Sequence, residues 1–217
     1  MTFAPPFQRV FQPTFDRRNA SGAVLKIHDT FTDTNGTAIA SHTIAPVNIP
    51  AASWSNWVGA WDIQGNKANP ATLTINVASA TLQSGLANVQ IDANITIGQT
   101  TSANNLGQIV LRYSDANNWW AIALGILSSA AVFTITKVVA GTGTGLASGV
   151  ISISNNTTYS LSVTARGSVV TAIFNGVTTI TATDAHNATA TIHGMRVVEG
   201  ATITNNTRID DYKIYAL

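Results

Sequence analysis

The chain has 217 residues, and its eleven Lys and Arg against ten Asp and Glu leave a formal charge of +1, so no broad field draws it to nucleic acid or to an anionic membrane. Charged residues make up 10% and hydrophobic ones 45%, so solubility rests on Asn, Thr, Ser and Gln, a surface that packs against neighbours with little charge desolvation. There is no cysteine, which excludes disulfides and thiolate metal sites and leaves the redox compartment open.

Residues 1–22 (MTFAPPFQRVFQPTFDRRNASG) differ from the rest. Phe3, Phe7, Phe11 and Phe15 recur every fourth residue, but Pro5, Pro6 and Pro13 oppose a continuous helix. The stretch reads as an extended N-terminal arm with aromatic anchors, flanked by Arg9, Arg17 and Arg18. Its rings either fold back onto the chain's own apolar face or dock on another subunit. No basic stretch leads into an apolar one, and no run approaches 18 uncharged apolar residues, so neither a leader nor a membrane span is expected.

Residues 23–217 read as strands. Asp29 to Ile44 offers a short strand, an Asn35-Gly36 turn and a second short strand able to pair with the end of the chain. Trp54, Trp57 and Trp61 lie close together, followed by Gly65-Asn66 turn chemistry and a strand around Leu73 to Val77. Val89 to Ile97 alternates cleanly, with Val89, Ile91, Ala93, Ile95 and Ile97 inward. Gly107 to Tyr113 and Trp119 to Ile126 form a predicted hairpin across Ser114 to Asn118, and the adjacent Trp119 and Trp120 must send one ring into the core.

Phe133 to Val139 is the next strand. The Gly141 to Gly145 segment reads as a loop between strands, with neither the lysine nor the helix of a phosphate cradle. Tyr159 to Arg166 precedes Val169 to Phe174 and Val177 to Thr183, the last two joined by Asn175-Gly176, a strong type I′ hairpin signal. The final strand alternates, with Ile209, Asp211, Lys213 and Tyr215 on one face and Asp210, Tyr212, Ile214 and Ala216 on the other. Many short strands without an amphipathic helix make the body all-β.

Six segments carry a family resemblance. They are Asp29-Thr30-Phe31 with Gly36, Trp61-Asp62-Ile63-Gln64-Gly65-Asn66, and the hairpin from Arg112 through Asp115, Asn118 and Trp120 to Leu124. Tyr159-Ser160-Leu161-Ser162-Val163, Phe174-Asn175-Gly176-Val177 and Ile209 to Ile214 complete the set. In this order they resemble the concanavalin A-like lectin/glucanase superfamily in its laminin-G-like form, over roughly Val24 to Leu217. The resemblance implies a two-sheet antiparallel jelly-roll sandwich with one concave face, a fold shared by lectins, glycan-cleaving enzymes and virion proteins, among which fold alone does not choose.

Hydrolysis on this fold needs two flanking carboxylates, and the glucanase members resemble one another in a Glu-x-Asp-x-(x)-Glu strand that this chain lacks. Its sole glutamate is Glu199, and Asp92 stands alone on its strand. His28, His42, His186 and His193 lack metal-ligand spacing and read as surface or turn residues. No catalytic residue is therefore expected. What the resemblance does imply is a structural calcium where the first and last strands meet, with Asp29, Asp210 and Asp211 as ligands. A glycan would use aromatic platforms with amide hydrogen bonds, for which Trp54, Trp57, Tyr113, Asn117, Asn118 and Trp119 are the candidates.

Two functions follow as expectations. The first is a non-enzymatic structural protein of a virus particle, a tailed bacteriophage above all, as capsid decoration or tail component. It would be held to other virion proteins or to copies of itself by Phe3, Phe7, Phe11, Phe15 and Arg9. The second is a lectin-like module that binds host glycan. No cofactor beyond the calcium is implied, and the location expected is the virion surface.

Overall fold

A computed structural model describes residues 22–44, 52–100, 104–200 and 203–217. The aromatic arm with Phe3, Phe7, Arg9, Phe11 and Phe15 lies outside the described residues. The described residues form seventeen strands and one 3-10 turn (Ile39–Ser41). The strands are β1 (Val24–Asp29), β2 (Trp54–Val58), β3 (Ala60–Ile63), β4 (Ala68–Thr72), β5 (Val77–Gln83), β6 (Val89–Thr96), β7 (Gln99–Thr100), β8 (Asn105–Asp115) and β9 (Asn118–Leu127). There follow β10 (Ala130–Val139), β11 (Thr142–Ser148), β12 (Thr158–Arg166), β13 (Val169–Phe174), β14 (Thr178–Thr183), β15 (Ile192–Glu199), β16 (Ile203–Asn205) and β17 (Arg208–Ala216).

Two antiparallel sheets face one another. Sheet A runs β14-β13-β12-β6-β17-β4-β3, with β1 also on β17, and sheet B runs β11-β10-β9-β8-β15-β5-β2. The all-β jelly-roll reading of the sequence stands. Alternation explains the core: β6 buries Val89, Ile91, Ala93 and Ile95, and β9 sends Trp120, Ile122 and Leu124 to the same interior. Asn175 and Gly176, with φ of 48° and 69°, take the left-handed pair that a type I′ turn demands.

Several expected boundaries move. The partner of the last strand is β1, with Val24 opposite Ala216 and Asp29 opposite Tyr212, whereas residues 30–44 form a loop around the 3-10 turn. The expected strand at Leu73 to Val77 is instead a tight reversal at Ile75-Asn76, both at positive φ, with strands on either side. The glycine-rich segment is the edge strand β11 and not a loop. In β17 a bulge between Asp210 and Lys213, with Asp211 at φ 51°, breaks the expected alternation. The extra residue places Ile209, Tyr212 and Ile214 together in the core.

Candidate functional site

The outer face of sheet B holds a groove of about 630 Å³. Its floor follows from the register: Arg196, Gln108, Ala123 and Thr134 lie side by side across β15, β8, β9 and β10. Small side chains at Ala121, Ala123, Thr134 and Thr136 leave the depression, and Trp119 closes one end. Ile75, 91% exposed at the tip of the β4–β5 reversal, stands on the rim.

Three aromatic rings meet at that end. Trp57 lies with its ring centroid 4.6 Å from Tyr113 and 5.2 Å, edge-on, from Trp119. Together with Val110, Ala121 and Val138 they form an apolar cluster outside the main core. Bulges position two of them. In β2, Asn56 pairs with Ala80 and Val58 with Ser79, so Trp57 sits at an irregularity. In β8, Leu111 pairs with Trp120 and Asp115 with Asn118, which leaves three residues opposite one and brings Tyr113 to the outer face beside Val110. Arg112, at φ 51° within that bulge, donates its backbone N–H to His193 Nδ1 at 3.2 Å, while His193 Nε2 donates to Leu86 O at 2.8 Å. This pattern requires a neutral imidazole. Burial, reinforced by the Arg112 charge, pulls its pKa down to about 4.

The six glycan candidates divide. Trp57, Tyr113 and Trp119 come together, and Asn117 lines the groove with Trp57 and Trp119. Asn118 instead braces its hairpin, its Nδ2 donating to both Asp115 carboxylate oxygens and its Oδ1 accepting from the Ala140 N–H. Trp54 is a correction. It is 2% exposed in the inter-sheet core, edge-on to Tyr212 at 5.2 Å, so its ring offers no face to a ligand.

The three aspartates read as calcium ligands do not converge. Asp29 is buried, and its Oδ1 accepts from Phe31 N at 2.7 Å and His42 Nε2 at 3.0 Å while its Oδ2 accepts from Trp54 Nε1 at 2.8 Å. Asp210 accepts from the Asp211 N–H and from Lys67 Nζ, and Asp211 binds His28 and Lys213. These donors occupy the oxygens that a cation would need, so the set does not fit calcium. Among the described residues no group of three or more His, Cys, Asp or Glu is placed to hold a metal ion.

Two histidines expected at the surface are buried, His42 and His193. Burial disfavours a charged His42, yet its bonds to Asp33 and Asp29 outweigh that and raise its pKa. Its two ring nitrogens lie 3.0 Å from carboxylate oxygens of Asp33 and Asp29, which ties residues 29, 33 and 42 together. Glu199 is also buried and is bonded through Oε1 to the Thr207 N–H. Burial raises its pKa.

Sequence reasoning missed Arg196 and Gln108. Arg196 Nη1 donates to Gln108 Oε1 at 2.9 Å, and its guanidinium carbon lies 5.3 Å from the Trp119 ring centroid, within cation–π range. Burial lowers its pKa to about 10, so it stays charged at neutral pH. The signal was present: an arginine between inward Met195 and Val197 is a lone charge in mid-strand.

No protein-family model and no curated protein matches the sequence. Solved structures do match by shape. The carbohydrate-binding module CBM66 from Bacillus subtilis superposes with a TM-score of 0.62 at 15% identity, covering 75% of this chain and 95% of that one. The CBM2 module of the evolved Dit of Lactobacillus casei BL23 phage J-1 gives 0.56 at 14%, covering 88% and 96%. The exoplasmic/lumenal domain of VIP36, in its Ca2+/Man3GlcNAc-bound form, gives 0.55 at 13%, covering 76% and 83%. These neighbours are lectin-like and carbohydrate-binding modules, and at such identities the likeness is one of fold.

Proposed function

We propose that the protein is a non-enzymatic carbohydrate-binding module whose binding face is the sheet B groove. The observation that carries this reading is the Trp57–Tyr113–Trp119 cluster beside a groove on the outer face of sheet B, with Trp57 and Tyr113 partly exposed. Aromatic rings present flat apolar faces to sugar C–H groups, and a groove of this volume is in the range of ligand sites. The carbohydrate-binding neighbours in fold support it. Among the described residues the groove lining contains no carboxylate, and Glu199 is buried against Thr207, so these residues place no hydrolytic acid and base in the groove. A glycan array tests the reading: binding by the native chain that disappears in Trp57→Ala supports it, and binding that survives Trp57→Ala, or no binding to any glycan, refutes it.

A second reading concerns where the module works. The phage-derived neighbour, which matches over nearly all of its own length, together with the Phe/Pro-rich N-terminal stretch and the low share of charged residues in the whole chain, favours a component of a tailed bacteriophage particle, in which glycan binding serves adsorption. Phe3, Phe7, Phe11, Phe15 and Arg9 are then the anchor to other virion proteins or to copies of the chain. Deleting residues 1–19 is expected to leave a folded module that no longer joins the particle. Unchanged incorporation would defeat the anchor.

A further inference from the structure

Among the described residues, Arg196 is the one charged side chain lining the groove. It is half-buried in the interior strand β15, with its guanidinium carbon 5.3 Å from the Trp119 ring centroid, and its side-chain hydrogen bond runs to the neutral Gln108. Among the described residues no carboxylate lies within ion-pair distance of it. The other cations with a place in ion pairs, Lys67, Lys137 and Lys213, are each matched to an aspartate. A guanidinium half withdrawn from water costs desolvation that a neutral occupant would deepen and an oxyanion would offset. The Trp119 ring and the Gln108 bond restrain the guanidinium from two sides, which lowers the cost of ordering it when an anion binds. With Gln108 Oε1 engaged, its amide nitrogen is a further donor for the same anion.

We propose that the groove selects acidic glycans, with Arg196, held beside the buried Trp119 ring, binding an oxyanion of the saccharide, a uronate carboxylate or a sulfate or phosphate ester, while the partly exposed Trp57 contacts a sugar ring. This rests on the reading of the groove as a glycan site.

The test compares ligands that differ only in charge: oligogalacturonate against its methyl ester, dextran sulfate against dextran, and phosphomannan against mannan. The three pairs separate carboxylate, sulfate and phosphate as the source of the anion. At least one acidic member is expected to bind about tenfold or more tighter than its neutral counterpart, as a charge-assisted hydrogen bond should give. Arg196→Gln should erase that preference, and raising the salt concentration should weaken the acidic ligand alone. Arg196→Lys, which keeps the charge and loses the fork, should fall between. The matched ligands need no variant, so a poorly folding Arg196→Gln would leave the test intact. If no acidic member is preferred, or if the preference survives Arg196→Gln, the inference is overturned. Trp57-dependent binding of neutral glycans without preference would overturn it and leave the module reading standing, whereas no binding at all would sink both.

Discussion

The two outer faces of the sandwich are built on the same strand geometry and carry opposite chemistry. On sheet A the outward positions form ladders of hydroxyls and amides: Thr96 faces Thr158 at 2.8 Å, Thr171 faces Thr181 at 3.1 Å, and Asn94 and Asp92 pair with Ser160 and Ser162. The shallow depression there, about 280 Å³, is lined by Asp92, Asn94, Ser160, Ser162 and Asp211 without an aromatic ring. On sheet B the equivalent positions hold alanine, threonine, two tryptophans and one arginine. A face that has only to meet water needs the first pattern. On the second, Trp57 and Tyr113 stay partly exposed over the buried Val110, Trp119 and Val138, apolar surface that a ligand would cover.

The contrast can be broken first within β2, where two tryptophans three residues apart take opposite sides. Trp54→Ala removes a core ring and leaves buried Asp29 Oδ2 without its donor, and is expected to cost about 3–5 kcal/mol of stability in urea unfolding. If Trp54→Ala unfolds no earlier than the native chain, the assignment of inside and outside is wrong.

The next effect is pH-dependent and belongs to the sheet B side, where His193 holds the bulge that presents Tyr113. A neutral histidine with a folded pKa of about 4 against 6.5 unfolded gives stability that is full above pH 6.5. It is lost as pH falls through 4, because the unfolded chain binds the proton first. The loss approaches about 3 kcal/mol. An imidazole titration followed by NMR, with urea melts at pH 7 and pH 4, checks it; a His193 midpoint near 6.5 would remove the effect.

Much of this frame was legible in the sequence, for physical reasons that also mark where legibility ends. Strict alternation revealed β6, and Asn175-Gly176 revealed its hairpin, because both signals depend only on local backbone chemistry. Paired Trp119 and Trp120 had to part company, and they did. Trp54 and Trp57 could not be sorted, since which face a strand buries is decided by its partner sheet. Tyr113, Asp211 and Arg112 sit in or beside bulges, and one added residue inverts every later position. The failed convergence of Asp29, Asp210 and Asp211 has the same source: Asp29 points into the core toward Trp54, whereas Asp211 bulges toward His28.

A smaller effect is expected at Trp57. Trp57→Ala should cost a bound glycan about 2 kcal/mol or more, the range of a buried aromatic anchor, as read by calorimetry, while the melting temperature changes little because the ring lies outside the main core. A change in stability as large as that of Trp54→Ala would mean that the aromatic cluster serves packing. Within the same bulge, Arg112 is buried and its guanidinium nitrogens have no hydrogen-bond partner among the described residues. Arg112→Met should therefore hold stability or raise it by about 1 kcal/mol, and should move the His193 pKa upward by removing the neighbouring cation. Destabilisation would show that the charge has a partner.

The smallest effect is expected on sheet A, and it is the control that gives the others meaning. Asp211 accepts from Lys213 Nζ and from His28 Nε2, and although burial opposes ionisation, these bonds lower its pKa. The pairs are partly solvated, so screening leaves them worth less than about 1 kcal/mol. Asp211→Asn keeps a residue type that tolerates the left-handed φ of 51°, which separates the charge from the bulge. Stability should fall by less than about 1 kcal/mol, and binding to any glycan should be unchanged. A loss of binding in Asp211→Asn matching that of Trp57→Ala would mean that the hydroxyl-lined face takes part in recognition, and that the division of labour between the two sheets is false.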